Sequence, residues 1–271
     1  MAGNMELKEK TVLITGATGG IGKALSQRLS KEKCRLAIFA RKEEKLKEIS
    51  TELKSGGVEC IYKRCDVRNK EDVKNAVDFV YKKFGRIDLA LLCAGVLIPN
   101  PIENFDSSII KNSMEINFLG NIYFLEYLFP VMKSQGSGTI AAVSTLPDRR
   151  GVPGWGAYGA SKAALSLMLE SLRAEAKQKY NINIITIKPG SVKTPMIEKY
   201  PRHGAISPEK AADIIVRGIK KEKKIIQFPL LQVVMVRLTD LFPVFAYDRI
   251  PIEMQKGEGY PSAEEKTLKT P

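Results

Sequence analysis

The segment Thr11-Val12-Leu13-Ile14-Thr15-Gly16-Ala17-Thr18-Gly19-Gly20-Ile21-Gly22-Lys23 restricts the fold more than any other part of this chain. An apolar, β-branched run reads as a strand and feeds a glycine-rich turn. Ile21, Leu25 and Leu29 follow at four-residue spacing, the mark of an amphipathic helix. Glycines let the backbone come close to a pyrophosphate, and a helix N-terminus offers unpaired N–H groups and the positive end of its dipole. The spacing is G-x-x-x-G-x-G. A Walker A loop is excluded, because it needs glycine at 17 and Ser or Thr at 24, where the chain has Ala17 and Ala24. By itself the segment also suits a tight turn and helix start that hold no ligand.

The same alternation runs on through the chain. Apolar strand-like runs fall near 11–15, 35–40, 58–64, 88–93, 138–144, 182–188 and 224–228. Helical patterns fall near 20–32, 42–55, 70–84, 105–132, 156–180 and 207–221. Strands alternating with helices predict an α/β fold whose parallel sheet is covered on both faces. A chain of 271 residues is long enough for one such domain with a sizeable core. No repeat or linker divides it, so residues 1–250 read as a single domain and 251–271 as a loose polar tail.

Tyr158-Gly159-Ala160-Ser161-Lys162 places a phenol and an ammonium one turn apart on one helix face. A phenol ionises near pH ~10, and a nearby ammonium favours the phenolate, which brings the group toward acid–base use. Alone, a tyrosine four residues before a lysine also describes an ordinary surface helix.

Together with the glycine turn, this pair resembles the short-chain dehydrogenase/reductase family in its single-domain form, over roughly residues 7–228. Further motifs stand in the family's order: Cys65-Asp66-Val67, Leu92-Cys93-Ala94-Gly95, Asn117 within Met114-Glu115-Ile116-Asn117-Phe118, and Pro189-Gly190-Ser191-Val192-Lys193-Thr194-Pro195. The resemblance implies a Rossmann-type, doubly wound, mostly parallel seven-stranded sheet. It implies an oxidoreductase that interconverts a carbonyl and a secondary alcohol. It implies that Gly16, Thr18, Gly19, Gly20, Ile21, Gly22, Asp66, Val67, Cys93, Ala94, Gly95, Pro189, Gly190, Val192 and Thr194 bind a nicotinamide cofactor with Tyr158 and Lys162. Tyr158 is then the acid/base, Lys162 its modulator, and Asn117 the holder of a water in a proton relay. The family's catalytic serine stands thirteen residues before the tyrosine. That position is Thr145, preceded by Ser144, and either hydroxyl could polarise a carbonyl. A dimer or tetramer is expected from the family. A nucleotide-binding scaffold that has lost turnover is the alternative on the same fold.

Cofactor choice is read from the end of the second strand. An NAD enzyme commonly places a carboxylate there for the ribose 2′-OH. Here Ala40 offers none, and Arg41 and Lys42 put positive charge where a 2′-phosphate would sit. The reading is NADP(H), with NAD(H) as the alternative. Leu97, Ile98, Pro147, Val152, Pro153, Trp155, Met196 and Ile197 are candidate substrate walls, mostly apolar. No arginine or lysine is clearly dedicated to a substrate carboxylate; Arg149 and Arg150 are the candidates, with plain solvent exposure the favoured reading.

The net charge of +13 could serve nucleic acid, an anionic membrane or an anionic cofactor. The cations mostly alternate with glutamate and no nucleic-acid motif accompanies them, so solvated helix faces are expected and no nucleic acid. Cys34, Cys60, Cys65 and Cys93 form no CxxC pair and His203 is the only histidine, so no metal site is expected. Free thiols and a polar stretch over 1–10 point to the cytoplasm. Residues 228–247 depart from the family pattern. They are apolar but broken by Gln232, Arg237, Asp240 and Pro243, so they do not read as a span. Three readings remain open: a helix capping the pocket, an oligomer interface, or a membrane-surface helix, the least favoured.

Overall fold

A computed structural model describes residues 5–198 and 204–250. Seven strands, β1 (Thr11–Thr15), β2 (Arg35–Ala40), β3 (Cys60–Arg64), β4 (Leu89–Leu92), β5 (Gly138–Val143), β6 (Ile182–Pro189) and β7 (Ile225–Phe228), form one sheet in the order β3-β2-β1-β4-β5-β6-β7. Every strand pair is parallel, where the sequence suggested mostly parallel. The order reverses between β1 and β4. A crevice opens beyond the strand ends at such a switch point, which is where this fold binds ligands.

Both faces of the sheet are buried, so its strands read as continuous apolar runs. Val12 and Ile14 pack toward α1 (Gly20–Ser30), α2 (Glu43–Ser55) and α7 (Pro208–Lys220), in one cluster with Leu25, Leu46 and Ile215. Leu13, Ala90 and Ile140 pack the other way, with Val77 of α3 (Lys70–Phe84), Phe124 of α5 (Gly120–Gln135) and Leu165 of α6 (Gly156–Tyr180). Helix ends follow local chemistry. Asn69 caps α3 by accepting from Glu71 N (2.9 Å) and Asp72 N (3.2 Å), and Gly85 ends it at φ 72°.

Two elements differ from the sequence expectation. The helix expected over 105–132 is α4 (Ser107–Met114), a π-turn over Glu115–Leu119, and α5. A π-turn costs one extra residue per turn, which the apolar period does not register. The C-terminal segment forms α8 (Leu230–Asp240) and α9 (Val244–Tyr247). No helix among the described residues is long and apolar enough to cross a membrane. The loose tail expected over 251–271 lies outside the described residues.

Candidate active site

The glycine turn builds the floor of the crevice. Gly16 has φ +64°, and a Cβ there would lie 2.9 Å from the Ala94 backbone, so only glycine lets the turn pass the end of β4. Thr15 Oγ1 locks the two strand ends together by accepting from Cys93 N (3.0 Å) and Ala94 N (3.2 Å). At Gly95 a Cβ would stand 3.0 Å from Asn117 Oδ1 and 3.3 Å from Lys162 Nζ. The missing side chain leaves a cradle beside the lysine.

A cleft of about 440 Å³ follows from this arrangement. Its walls include Gly16, Thr18, Gly19, Gly20, Ile21, Gly22, Arg41, Lys42, Asp66, Val67, Cys93, Ala94, Gly95, Tyr158, Lys162, Pro189, Gly190, Val192 and Thr194. All the residues expected to hold a cofactor thus share one cavity. Lys45 joins Arg41 and Lys42 there, and the sequence reading overlooked it. It lies in the first turn of α2, just after Arg41 and Lys42, so its closeness in sequence to that basic pair was the available signal.

α6 carries the pair. Tyr158, Ser161, Lys162, Leu165, Ser166 and Leu169 repeat at three and four residues and mark its inward stripe. Leu165 and Leu169 bury the stripe in the core, and Tyr158 and Lys162 extend it into the cleft. Lys162 is only 3% exposed, and its Nζ donates to Val143 O at 2.6 Å. Burial pushes its ammonium down to about 8.

Asn117 sits on the π-turn, fully buried and outside the cleft wall. Its Oδ1 accepts from Val96 N (2.8 Å), and its Nδ2 donates to Val96 O (3.0 Å) and Ser161 Oγ (3.0 Å). Asn121 Nδ2 donates to Asn117 O at 2.9 Å. The side chain braces the loop after β4 against α6.

The two candidate hydroxyls differ. Ser144 lies on the cleft wall, but its Oγ donates to Lys162 O (2.9 Å) and is 2.7 Å from Ser166 Oγ. With its proton committed to a carbonyl, it accepts from Ser166. Thr145 is nearly buried beside it and does not line the cleft.

Asp66 holds Arg68 in a forked pair, with Nη2 to Oδ2 at 2.6 Å and Nε to Oδ1 at 3.1 Å. That pair, with Arg41 nearby, keeps its carboxyl below the usual range. Burial pushes the Cys93 thiol up to about 12, which keeps it protonated. Among the described residues no three His, Cys, Asp or Glu are grouped to hold a metal ion.

Of the expected substrate walls, Leu97, Met196 and Ile197 line the cleft, joined by Val96 and Ile116. Ile98, Pro147, Val152, Pro153 and Trp155 do not, and Trp155 is buried. The loop that carries the last four is pinned by a buried ion pair between Asp148 and Lys188 of β6. Arg150 is not free to meet a substrate carboxylate: it donates to Phe242 O and stacks on Tyr247, 5.0 Å from the ring centre.

A short chain dehydrogenase profile matches residues 10–204. An uncharacterized oxidoreductase of Listeria monocytogenes is 30% identical over 235 residues, which cover 82% of this chain and 94% of that protein. The chain therefore belongs to the short-chain dehydrogenase/reductase family of oxidoreductases. 11-beta-hydroxysteroid dehydrogenase A of Sesamum indicum is 31% identical over 191 residues, 70% of this chain and 54% of that one. Among solved structures, a short-chain dehydrogenase/reductase of Burkholderia phymatum in complex with NAD superposes with a TM-score of 0.80 at 21% identity, covering 86% of this chain and 94% of that one. An alcohol dehydrogenase of the archaeon Thermococcus sibiricus complexed with 5-hydroxy-NADP gives 0.73 at 25% identity, with coverage of 81% and 94%.

Proposed function

We propose that this protein is an NADP(H)-dependent oxidoreductase that interconverts a carbonyl and a secondary alcohol on an apolar substrate. The observation that carries the reading is convergence: the glycine floor, Gly95, Tyr158 and Lys162 share one cleft at the sheet's switch point. The cradle at Gly95, open beside Lys162 Nζ, suits a group lying flat against the backbone. When bound, the nicotinamide supplies or accepts the hydride. Tyr158 gives a proton to the carbonyl oxygen in reduction and takes one from the alcohol in oxidation. Lys162 favours the phenolate of Tyr158 through its charge. Thr145 stands at the family's hydroxyl position and is the proposed group for the substrate oxygen, since Ser144 is spent on α6; it does not line the cleft here and must turn into it to serve. Asn117 holds the loop after β4 in register with α6. Arg41, Lys42 and Lys45, with no carboxylate at Ala40, favour a 2′-phosphate. Val96, Leu97, Ile116, Met196 and Ile197 favour an apolar substrate. One sheet builds the whole cleft, in keeping with residues 1–250 acting as one domain.

The test is titration of the purified protein with NADPH and NADH by nucleotide fluorescence, followed by a ketone panel. Tighter NADPH binding and turnover that disappears in Tyr158→Phe support the reading. Equal or tighter NADH binding removes the phosphate assignment. Nucleotide binding without turnover of any ketone removes the enzyme reading and leaves the scaffold, and binding of neither nucleotide removes both.

A further inference from the structure

The described residues of the loop after β6 form a cleft wall. Its base is closed by one parallel bridge between Val192 and Ile206. There Lys193 N donates to Ile206 O (2.9 Å) and Ile206 N to Ser191 O (3.1 Å). Beyond the bridge it carries Thr194, Met196 and Ile197 into the cleft. Among the described residues, one side chain from outside ties Ser191 to Gly204. Gln232, in the first turn of α8, accepts from Ser191 N at 2.8 Å through Oε1 and donates to Gly204 O at 3.3 Å through Nε2. A neutral amide can accept at one end and donate at the other, and the partners here fix which end is which. Room for it exists because residue 190 is glycine: a Cβ there would run into Gln232 Oε1.

The same segment grips the loop after β5. Tyr247 OH donates to Gly151 O at 2.8 Å, and Arg150 reaches back to Phe242 O. Neither α8 nor α9 has a fully buried residue, so these polar contacts add to the half-buried Val233 and Val236 in holding the segment.

We propose that residues 230–247 act as a clasp on the active site, in which Gln232 positions the loop after β6, a cleft wall, and Tyr247 positions the loop after β5, which leaves the cleft wall at Ser144. Both are positioning residues. The proposal rests on the nucleotide-binding reading above, and its test separates the two.

Full-length wild type, Gln232→Ala, Gln232→Glu and Tyr247→Phe are titrated with NADPH and NADH. Amide hydrogen exchange is followed over 146–155 and 190–206, and melting temperature is recorded. Gln232→Ala is expected to weaken the tighter nucleotide about tenfold (about 1.4 kcal/mol) and to speed exchange at 190–206. Gln232→Glu keeps the acceptor for Ser191 N, loses the donor to Gly204 O, and should fall between. Tyr247→Phe should leave nucleotide affinity within about twofold and speed exchange at 146–155 instead. The clasp is refuted if Gln232→Ala binds like wild type. It is equally refuted if Gln232→Ala and Tyr247→Phe weaken nucleotide alike, which marks a general loss of stability. If Gln232→Ala does not fold, Gln232→Glu against Tyr247→Phe decides by the same criteria. A wild type that binds neither nucleotide refutes the nucleotide reading instead, and the exchange pattern still judges the clasp.

Discussion

α6 and α8 both turn polar side chains toward the body of the protein, but they are held there by opposite means. α6 interleaves Ser161, Lys162 and Ser166 with Leu165 and Leu169, and all five are buried. The leucines supply the stabilisation that lets an ammonium sit in the core. α8 faces inward with Gln232, Arg237 and Asp240, the last two paired at 2.8 Å. Val233 and Val236 are half-buried beside them, while Leu230, Leu231, Val234, Met235 and Leu238 look outward and are 48–78% exposed. One helix is positioned by burial and borrows polarity for chemistry. The other leans on polarity for its position and leaves most of its apolar side open. Hydrogen bonds give direction at little net stability, and buried area gives stability with little direction.

The contrast can be broken in several places. Tyr158→Phe should lower turnover the most, by about 10³-fold within the range of positioned acid–base groups, with nucleotide affinity unchanged; steady-state rates and a fluorescence titration measure both. A variant that kept its rate would detach α6 from the chemistry. Leu165→Ala should cost about 3 kcal/mol in urea unfolding, because a fully buried leucine leaves a cavity.

Lys162→Met tests the buried charge. With the folded ammonium at about 8 and the unfolded one at its ordinary value, the unfolded chain binds more protons between those two points. Wild-type stability therefore rises with pH across that window, and below it the charge costs stability. The methionine variant should be more stable than wild type by roughly 2–3 kcal/mol below pH ~8. That advantage should fade as pH approaches ~10.4. Melting curves at several pH values would show it, and a pH-independent difference would contradict it. Arg41→Ala should cost about tenfold in NADPH affinity and leave NADH alone, about 1.4 kcal/mol by titration. Leu238→Ser, on the open face of α8, should change unfolding free energy by less than about 0.5 kcal/mol. A large loss there would show that the face is covered in solution.

Legibility in the sequence follows the same division. Regions fixed by burial could be read, since apolar periodicity reports burial: all seven strands, the glycine turn and the inward stripe of α6 show in the bare pattern. Regions fixed by polar contacts could not. Gln232 looked like an interruption in an apolar run and proved to be a tie between Ser191 and Gly204. Arg150 looked like a solvated cation or a candidate substrate ligand and proved to hold the C-terminal segment. The π-turn at Glu115–Leu119 was hidden because one inserted residue leaves composition unchanged while it shifts the helix face. Ser144 and Thr145 stayed undivided because a hydroxyl's neighbours, not its type, decide whether it is already occupied.

The space shared by Gly190 and Gln232 constrains how this protein can change over generations. The backbone at residue 190 is not in the left-handed region, so its glycine is kept by what occupies the adjoining volume rather than by conformation. A descendant that gains a side chain at 190 displaces the end of Gln232, so the tie between Ser191 and Gly204 is loosened by that change. The two positions are therefore coupled: the glutamine's tie across the loop keeps its value only while residue 190 stays small.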